Sequence, residues 1–214
     1  MSEDTPKEFW DARYSESGYA YGVRPSRLLL AWSDTISKSG TKAFVPGCGE
    51  GRDAVFLAMM GLQVTAVDMS PVGLEKARTL AERNGVSIET VEADLRDYPL
   101  EPESFDCIAS VFVHMPESER NSYHQKLSAS LRPGGLIFLE GFRKLQLQYQ
   151  ASHNSGGPTD KSMLFAPPQI EQDFSDLEQV SLMSGVENLA EGPYHDGSAA
   201  IMRAVFRKMG DMDV

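Results

Sequence analysis

Between residues 41 and 142 the hydrophobic pattern changes repeatedly from short β-branched runs to longer segments with helical spacing. The runs have the length of buried strands, and the segments between them have the length of helices. Strands and helices that alternate in this way are joined by right-handed crossovers, so the strands lie parallel in one sheet with helices on both faces. The pattern predicts strands at residues 41–46, 62–68, 86–93, 105–111 and 136–142, and helices at residues 52–61, 70–83 and 117–131.

The regions on either side of this core have a different character. Residues 1–40 are predicted to form amphipathic helices that cap the core and carry an aromatic cluster. Residues 143–166 are a long polar stretch, either a substrate lid or a disordered connection, and Tyr149 and Phe165 favour the lid because their side chains are poorly suited to water. Residues 167–214 predict a short helix and two strands that pair antiparallel at the sheet edge. The aromatic residues of the cap are Phe9, Trp10, Tyr14, Tyr19 and Tyr21.

The length and charge of the chain restrict its possible partners. A chain of 214 residues predicts one domain. Its formal net charge of −11 repels a phosphate backbone, so we expect no nucleic-acid partner. No stretch reaches the ~20 apolar residues needed to cross a bilayer, and the N-terminus is acidic, so we expect a soluble, cytoplasmic protein with no membrane partner. The pattern gives no indication of oligomeric state.

Cysteine and histidine spacing predicts neither a disulfide framework nor a metal site. Cys48 and Cys107 do not form a Cys-x-x-Cys pair, and His124, His153 and His195 show no mutual ligand spacing.

A glycine turn and an acid after the second strand together predict a nucleoside site. Gly47, Cys48, Gly49 and Gly51 join the first strand to the first helix, where glycines allow the backbone to approach a ligand closely. Asp68 lies about 20 residues further on, at the carboxyl end of the second strand, where an acid can accept both hydroxyls of a ribose.

The residues that follow the second and third strands extend this predicted site. Met69 is adjacent to Asp68, and Asp94 with Leu95 follows the third strand, where a short polar group can bind the exocyclic amine of an adenine. The turn has the spacing GxGxG, and Arg52 stands where the last glycine of a dinucleotide site would fall. This spacing favours S-adenosylmethionine (SAM) over NAD.

Four segments resemble the successive motifs of class I SAM-dependent methyltransferases over about residues 41–142: FVPGCGEGRDAVFLAMMGLQVTAVDMSPVGLEKA, VEADL, FDCIASVFVHMP and LRPGGLIFLEGF. The resemblance implies a Rossmann-like fold with a seven-stranded, mostly parallel sheet and SAM at the carboxyl ends of the first strands. The VPGCGEGRD turn and the FWDARY segment, with YG and RPS downstream, resemble the thiopurine, thiol and tellurite-resistance methyltransferases. One position departs from the common superfamily pattern, because Val45 replaces the acid that orients the amino end of the cofactor.

The resemblance also indicates which residues surround the methyl group. In the thiopurine and thiol group the N-terminal segment closes over cofactor and acceptor, and the faces of Trp10 and Tyr14 would favour the cationic sulfur. A soft sulfur, selenium or tellurium acceptor on a small molecule needs little proton removal and is the acceptor we expect. An oxygen, nitrogen or carbon acceptor of a metabolite needs a base, for which His114 and Glu140 are the titratable candidates.

Each of these residues also has a purely structural interpretation. Trp10 and Tyr14 suit an amphipathic helix packed on the sheet edge, Asp94 suits a helix cap, and Glu140 suits an ion pair with a lysine or arginine. Two functions of another class also remain open. One is a SAM-binding module without turnover, and the other is an NAD-dependent oxidoreductase.

Overall fold

A computed structural model describes residues 5–38 and 40–210. Residues 1–4 and 39, which belong to the predicted cap, and residues 211–214 of the predicted C-terminal region lie outside the described residues. The described strands form one sheet in the order β3-β2-β1-β4-β5-β7-β6. The strands are β1 (Lys42–Pro46), β2 (Gln63–Asp68), β3 (Glu89–Glu92), β4 (Phe105–Val111), β5 (Leu131–Phe142), β6 (Glu178–Ala190) and β7 (Asp196–Arg207).

The pairing confirms the predicted mostly parallel sheet with an antiparallel edge. Strands β1 to β5 pair in parallel, whereas β7 pairs antiparallel with both β5 and β6. The strand order changes direction between β1 and β4, and the expected place for a ligand crevice is at the carboxyl ends of these two strands. Open α/β sheets bind ligands in such a crevice.

Helices cover both faces of the sheet, as predicted. One core cluster packs the sheet against α2, α3 and α4, and a second packs the other face against α6 and α8. The helices are α1 (Pro6–Ser15), α2 (Arg27–Ala31), α3 (Ser33–Ile36), α4 (Arg52–Met59), α5 (Pro71–Arg83), α6 (Glu117–Ser130), α7 (Gln146–Gln150) and α8 (Pro167–Asp173), with a 3-10 turn at Lys161–Met163. None of the helices in the described part of the chain is long and apolar enough to cross a membrane.

Two of the five predicted core strands, the third and the fifth, differ from their predicted ranges by more than one residue. The third strand is shorter, because β3 is an edge strand that pairs only with β2 and only over Glu89–Glu92. The fifth strand begins earlier, because Leu131 already pairs with Phe105 before a register shift that leads to the pair of Leu136 with Cys107.

The predicted lid segment, residues 143–166, packs against the sheet. The Gln146 side chain accepts a hydrogen bond from the Ala200 amide in β7 and donates to the Ser155 hydroxyl and the Gly156 carbonyl. Phe165 is buried, and its main chain forms an isolated parallel β-bridge with Arg143. These contacts tie both ends of the segment to the domain, and its function as a lid stays a prediction.

Candidate cofactor and acceptor site

The glycine turn follows β1 at the crevice. Gly47, Gly49 and Gly51 all have positive φ, with values of +56°, +52° and +88°. A Cβ on Gly49 would lie 2.8 Å from the hydroxyl of Tyr14, so only glycine fits beneath that ring. Gly51 faces α5 instead, because its Cβ would lie 2.6 Å from the Cβ of Ala77. Gly49 therefore lets the turn lie directly against Tyr14, while Gly51 allows α4 to begin close to α5.

Asp68 ends β2 beside this turn and is bonded to it. Its Oδ2 accepts a hydrogen bond from the Gly49 amide at 2.8 Å, and its Oδ1 accepts from the Ser70 amide at 2.9 Å. The side chain is buried, and burial raises its pKa above the usual range, although the amide donors oppose that rise. A carboxylate offers about four acceptor positions. Two amide bonds leave the others for the hydroxyls of a ligand.

The remaining predicted nucleoside residues lie beside Asp68 on the neighbouring strand ends. The Met69 carbonyl accepts a hydrogen bond from the Lys7 ammonium in α1. Leu95 packs near the turn, 3.9 Å from the position of a Cβ on Gly47. Asp94 accepts bonds from the amide and guanidinium of Arg96, which hold the pKa of its carboxyl below the usual range.

Helix α1 lies over the turn and brings the two predicted cap aromatics to it. Tyr14 is 5% exposed and stacks on Trp10 with ring centroids 5.5 Å apart. Burial raises the pKa of the Tyr14 phenol well above its usual value, so the ring is neutral. Lys7 pairs with Glu92, and the Ser70 hydroxyl donates to Asp11. The helix is therefore held at its first and second turns to residues at the ends of β2 and β3.

Beyond the turn, a wall of aromatic rings lies at the ends of β4 and β5. The His195 ring lies 4.5 Å from the rings of both Tyr21 and Phe112, and Phe112 lies 4.7 Å from Phe142. We call Tyr21, Phe112, Phe142 and His195 the aromatic wall. The sequence analysis does not predict that these four side chains lie together. One signal was present, since Phe112 directly follows β4, and its φ of +56° is unusual for a bulky residue.

His114 has both ring nitrogens bonded to main chain. Its Nε2 accepts from the Phe142 amide at 3.1 Å, so Nδ1 carries the proton and donates to the Met163 carbonyl at 2.9 Å. Burial lowers its pKa to about 4. The imidazole therefore joins β5 to the 3-10 turn, and neither nitrogen is free to take a proton from an acceptor.

This arrangement makes a prediction for acid stability. The folded pKa of His114 lies below its usual 6.5, so the unfolded chain takes up the proton first and stability is lost as pH falls from 6.5 to about 4. A shift of this size corresponds to about 3 kcal/mol. His114→Gln should show a flatter loss of unfolding free energy between pH 7 and pH 4.5 in urea titrations. The exposed His153→Gln variant is the control, and equal pH dependence in both variants would contradict the assignment.

Glu140 is fully buried in β5 and faces Arg203 of β7. Its Oε1 accepts from the Arg203 Nε at 2.9 Å, while its Oε2 has no hydrogen-bond partner among the described residues. Burial raises the pKa of Glu140 to about 7, although Arg203 opposes the rise. Glu140 thus has the ion pair that its structural interpretation predicted, together with one free oxygen.

The two cysteines are free, and no group of three or more His, Cys, Asp or Glu side chains within residues 5–38 and 40–210 is arranged to hold a metal ion.

Comparison with known proteins finds a methyltransferase domain in the core of the chain. Residues 46–135 match a family model described as a methyltransferase domain. The segment includes the glycine turn, Asp68 and Asp94. This match, together with the relatives and solved structures that follow, supports a class I SAM-dependent methyltransferase. The resemblance inferred from the motifs is therefore confirmed, and SAM is the cofactor indicated by this family.

Curated relatives of this chain are methyltransferases as well. A methyltransferase of Bacillus subtilis, YodH, is 36% identical over 42% of this chain and 39% of its own length. A ubiquinone biosynthesis O-methyltransferase of Vibrio atlanticus is 28% identical over 64% of this chain and 57% of its own length. A thiopurine S-methyltransferase of Vibrio cholerae is 26% identical over 77% and 78%. The chain thus spans less than two thirds of the first two relatives but most of the third.

Solved structures share the fold. The N-methyltransferase NodS of Bradyrhizobium japonicum, solved with S-adenosylhomocysteine, superposes with a TM-score of 0.69 at 14% identity and covers 96% of this chain and 99% of its own. A protein solved in work on the conversion of a disulfide bond into a thioacetal group during echinomycin biosynthesis has a TM-score of 0.76 at 18% identity, covering 97% and 94%. At these identities the likeness concerns the architecture alone.

Proposed function

We propose that this chain is a SAM-dependent methyltransferase that acts on a small molecule. The observation that carries the proposal is the buried Asp68 carboxylate, which is bonded to the glycine turn and has acceptor positions left for both hydroxyls of a ribose. The donor and acceptor groups fit an adenosine with a methionine tail. Asp94 and Leu95 would bind the adenine, Met69 would flank the ribose, and Gly47, Cys48, Gly49 and Gly51 would bring main chain to the tail.

Within this proposal the protein mainly positions the reactants and excludes water. SAM supplies a methyl group on a cationic sulfur when it is bound. The faces of Trp10 and Tyr14 favour that charge, and Tyr14 does so as a neutral ring. Residues 5–38 of the cap and the segment at residues 143–166 would then close over an acceptor held about 3 Å from the methyl carbon.

We further propose that the acceptor is a soft heteroatom, sulfur, selenium or tellurium. The likeness to a thiopurine S-methyltransferase over most of both chains supports this choice. Site chemistry supports it as well, because His114 has no free nitrogen and a thiolate is already a strong nucleophile.

An O-methyltransferase of a metabolite is the second candidate. It is supported by the relative named for ubiquinone biosynthesis and by the free Oε2 of Glu140, whose pKa of about 7 suits a general base.

A panel assay tests the proposal. The protein is incubated with SAM and, separately, with an aliphatic thiol, an aromatic thiol, selenite, tellurite, a phenol and an amine, and S-adenosylhomocysteine is quantified. We expect turnover with the thiols or the selenium and tellurium compounds. Calorimetry with S-adenosylhomocysteine and NAD accompanies the assay. Cofactor binding without turnover would indicate a binding module, and NAD binding alone would indicate an oxidoreductase.

Glu140→Gln separates the two acceptor classes. With a soft acceptor no base is needed, so we expect turnover to fall less than about tenfold while the affinity for S-adenosylhomocysteine is unchanged. A loss of about 100-fold or more, of the size that proton transfer supplies, together with loss of a rate increase through pH 7, would instead support the O-methyltransferase. The measurement is the pH–rate profile of both proteins.

A further inference from the structure

Charged residues in the glycine turn and at the start of α4 bind one segment of the cap. Glu50 accepts a hydrogen bond from the Ala20 amide at 2.7 Å, and Asp53 accepts one from the Ser26 amide at 2.7 Å. Arg52 donates to the Tyr21 carbonyl at 3.0 Å. All three side chains are buried. Each partner is a main-chain group, so these bonds fix the path of residues 20–26 independently of their side chains.

A lysine on α5 extends this set of contacts. Lys76 donates to the carbonyls of Glu16 and Gly18 at 2.8 and 2.7 Å and pairs with Glu50 at 2.8 Å. Hydrogen bonds to charged groups are about twice as strong as neutral ones, and removal of Glu50 or Asp53 would leave a buried main-chain amide unsatisfied. Glu50, Arg52, Asp53 and Lys76 therefore form what we call the cap anchor.

The opposite side of the segment contacts the tip of the β6–β7 hairpin. The Tyr194 amide donates to the Ala20 carbonyl at 3.3 Å, and Arg52 pairs with Glu191 of the tip at 2.9 Å. Arg52 therefore bonds to the cap and to the hairpin with one guanidinium. The segment is held between the cofactor turn and the hairpin tip.

The residue placed by these contacts is Tyr21. Its carbonyl is bonded to Arg52, and its ring meets His195 at 4.5 Å and Trp10 at 6.3 Å. Its ring therefore connects the aromatic wall with the cap aromatics that lie over the turn. A displacement of residues 20–26 would move this ring, whereas Asp68 and its amide bonds belong to other elements.

We propose that Glu50, Arg52 and Asp53 are positioning residues for the acceptor, which hold the cap segment so that Tyr21 completes the wall against which the acceptor binds. This inference rests on the proposed methyltransferase function. It assigns the charged residues of the turn to the acceptor and the glycines and Asp68 to the cofactor. Loss of an anchor residue therefore raises the KM for the acceptor and leaves the affinity for S-adenosylhomocysteine nearly constant.

Amide hydrogen exchange tests the anchor without requiring activity. Glu50→Ala should accelerate exchange at the Ala20 amide and Asp53→Ala at the Ser26 amide, each by about tenfold or more, because each amide loses a charged acceptor. Glu171→Ala on α8, an exposed residue, removes the same charge elsewhere and should change neither amide. General destabilisation would accelerate exchange throughout the domain, and that result, or no change at either amide, would overturn the proposal.

The kinetic arm uses whichever panel compound the wild-type protein methylates. We expect the acceptor KM to rise about tenfold or more in Glu50→Ala and Asp53→Ala, while the Kd for S-adenosylhomocysteine changes less than about twofold. Glu50→Gln and Asp53→Asn retain one acceptor oxygen and should restore much of the KM, and they replace the alanine variants if those do not fold. A parallel rise in Kd and KM would place these residues in the cofactor site and overturn the inference. If the wild-type protein binds no S-adenosylhomocysteine, the proposed function fails, and the exchange result still decides whether the anchor exists.

Discussion

Asp68→Ala should weaken the binding of S-adenosylhomocysteine by about 10-fold to 100-fold. Hydrogen bonds from ligand hydroxyls to a charged group contribute about 1.5–3 kcal/mol, and each 1.4 kcal/mol is a factor of ten in affinity. Isothermal calorimetry gives the Kd of both proteins. Asp176→Ala removes an exposed acid from the region before β6 and serves as the charge control, with an expected Kd equal to that of the wild type.

A second ligand separates the ribose contacts from damage to the turn. Asp68 also accepts the amides of Gly49 and Ser70, so its removal loosens the turn as well. The 2′-deoxy analogue of S-adenosylhomocysteine lacks one of the hydroxyls. The wild-type protein should bind the analogue more weakly than the parent ligand, whereas Asp68→Ala should bind the two alike, which is the signature of a direct interaction in a double-mutant cycle. Equal discrimination by both proteins would mean that Asp68 acts only on the turn.

Strand ends were predictable from sequence because their signals are local. The run that ends in Asp68 and the following Ser70 and Pro71 gave both the end of β2 and the start of α5, where Ser70 accepts from the Gly73 amide. The neighbouring positions of the glycine turn and Asp68 then followed from parallel topology alone.

The roles of buried polar residues were not predictable in the same way, because their partners are distant in sequence. His114 is hydrogen-bonded to the main chain of Phe142 and Met163, and no local sequence pattern predicts either contact. The cap anchor could not be predicted from sequence for a different reason. Glu50 and Asp53 bind main-chain amides. Nearly every residue has such an amide, so residue type does not indicate which amide is bound.

The aromatic wall could not be predicted from sequence, because it depends on the position of the β6–β7 hairpin in the fold. His195 belongs to the tip between β6 and β7, and the pairing of β7 with β5 carries that tip across to Phe112 and Tyr21. A sequence pattern predicts that two strands pair but not where the loop between them lies. The residues that we propose to contact the acceptor are for this reason harder to predict from sequence than those that we propose to bind the cofactor.

Gly49→Val should abolish measurable binding of S-adenosylhomocysteine while the domain remains folded. A Cβ at this position would lie 2.8 Å from the Tyr14 hydroxyl and 3.3 Å from the ring carbon that bears it, and the φ of +52° is unfavourable for a β-branched residue. Tyr14 is buried in a helix fastened at Lys7 and Asp11, so its ring cannot simply rotate away. The measurements are calorimetry for the ligand and hydrogen exchange for the amides of α1.

Gly61→Val is the matched control for backbone strain. Gly61 has a φ of +91°, yet a Cβ there meets no atom within 4 Å, so this variant carries a similar conformational cost without a clash. The double variant Gly49→Val/Tyr14→Ala then removes the opposing ring. Recovered binding would attribute the loss to displacement of α1, and continued loss would attribute it to the turn itself, where main chain must approach the ligand. Normal binding in the single variant would mean that the turn faces away from the cofactor, and the proposed activity would lose its basis because Asp68 would then have no partner surface for an adenosine.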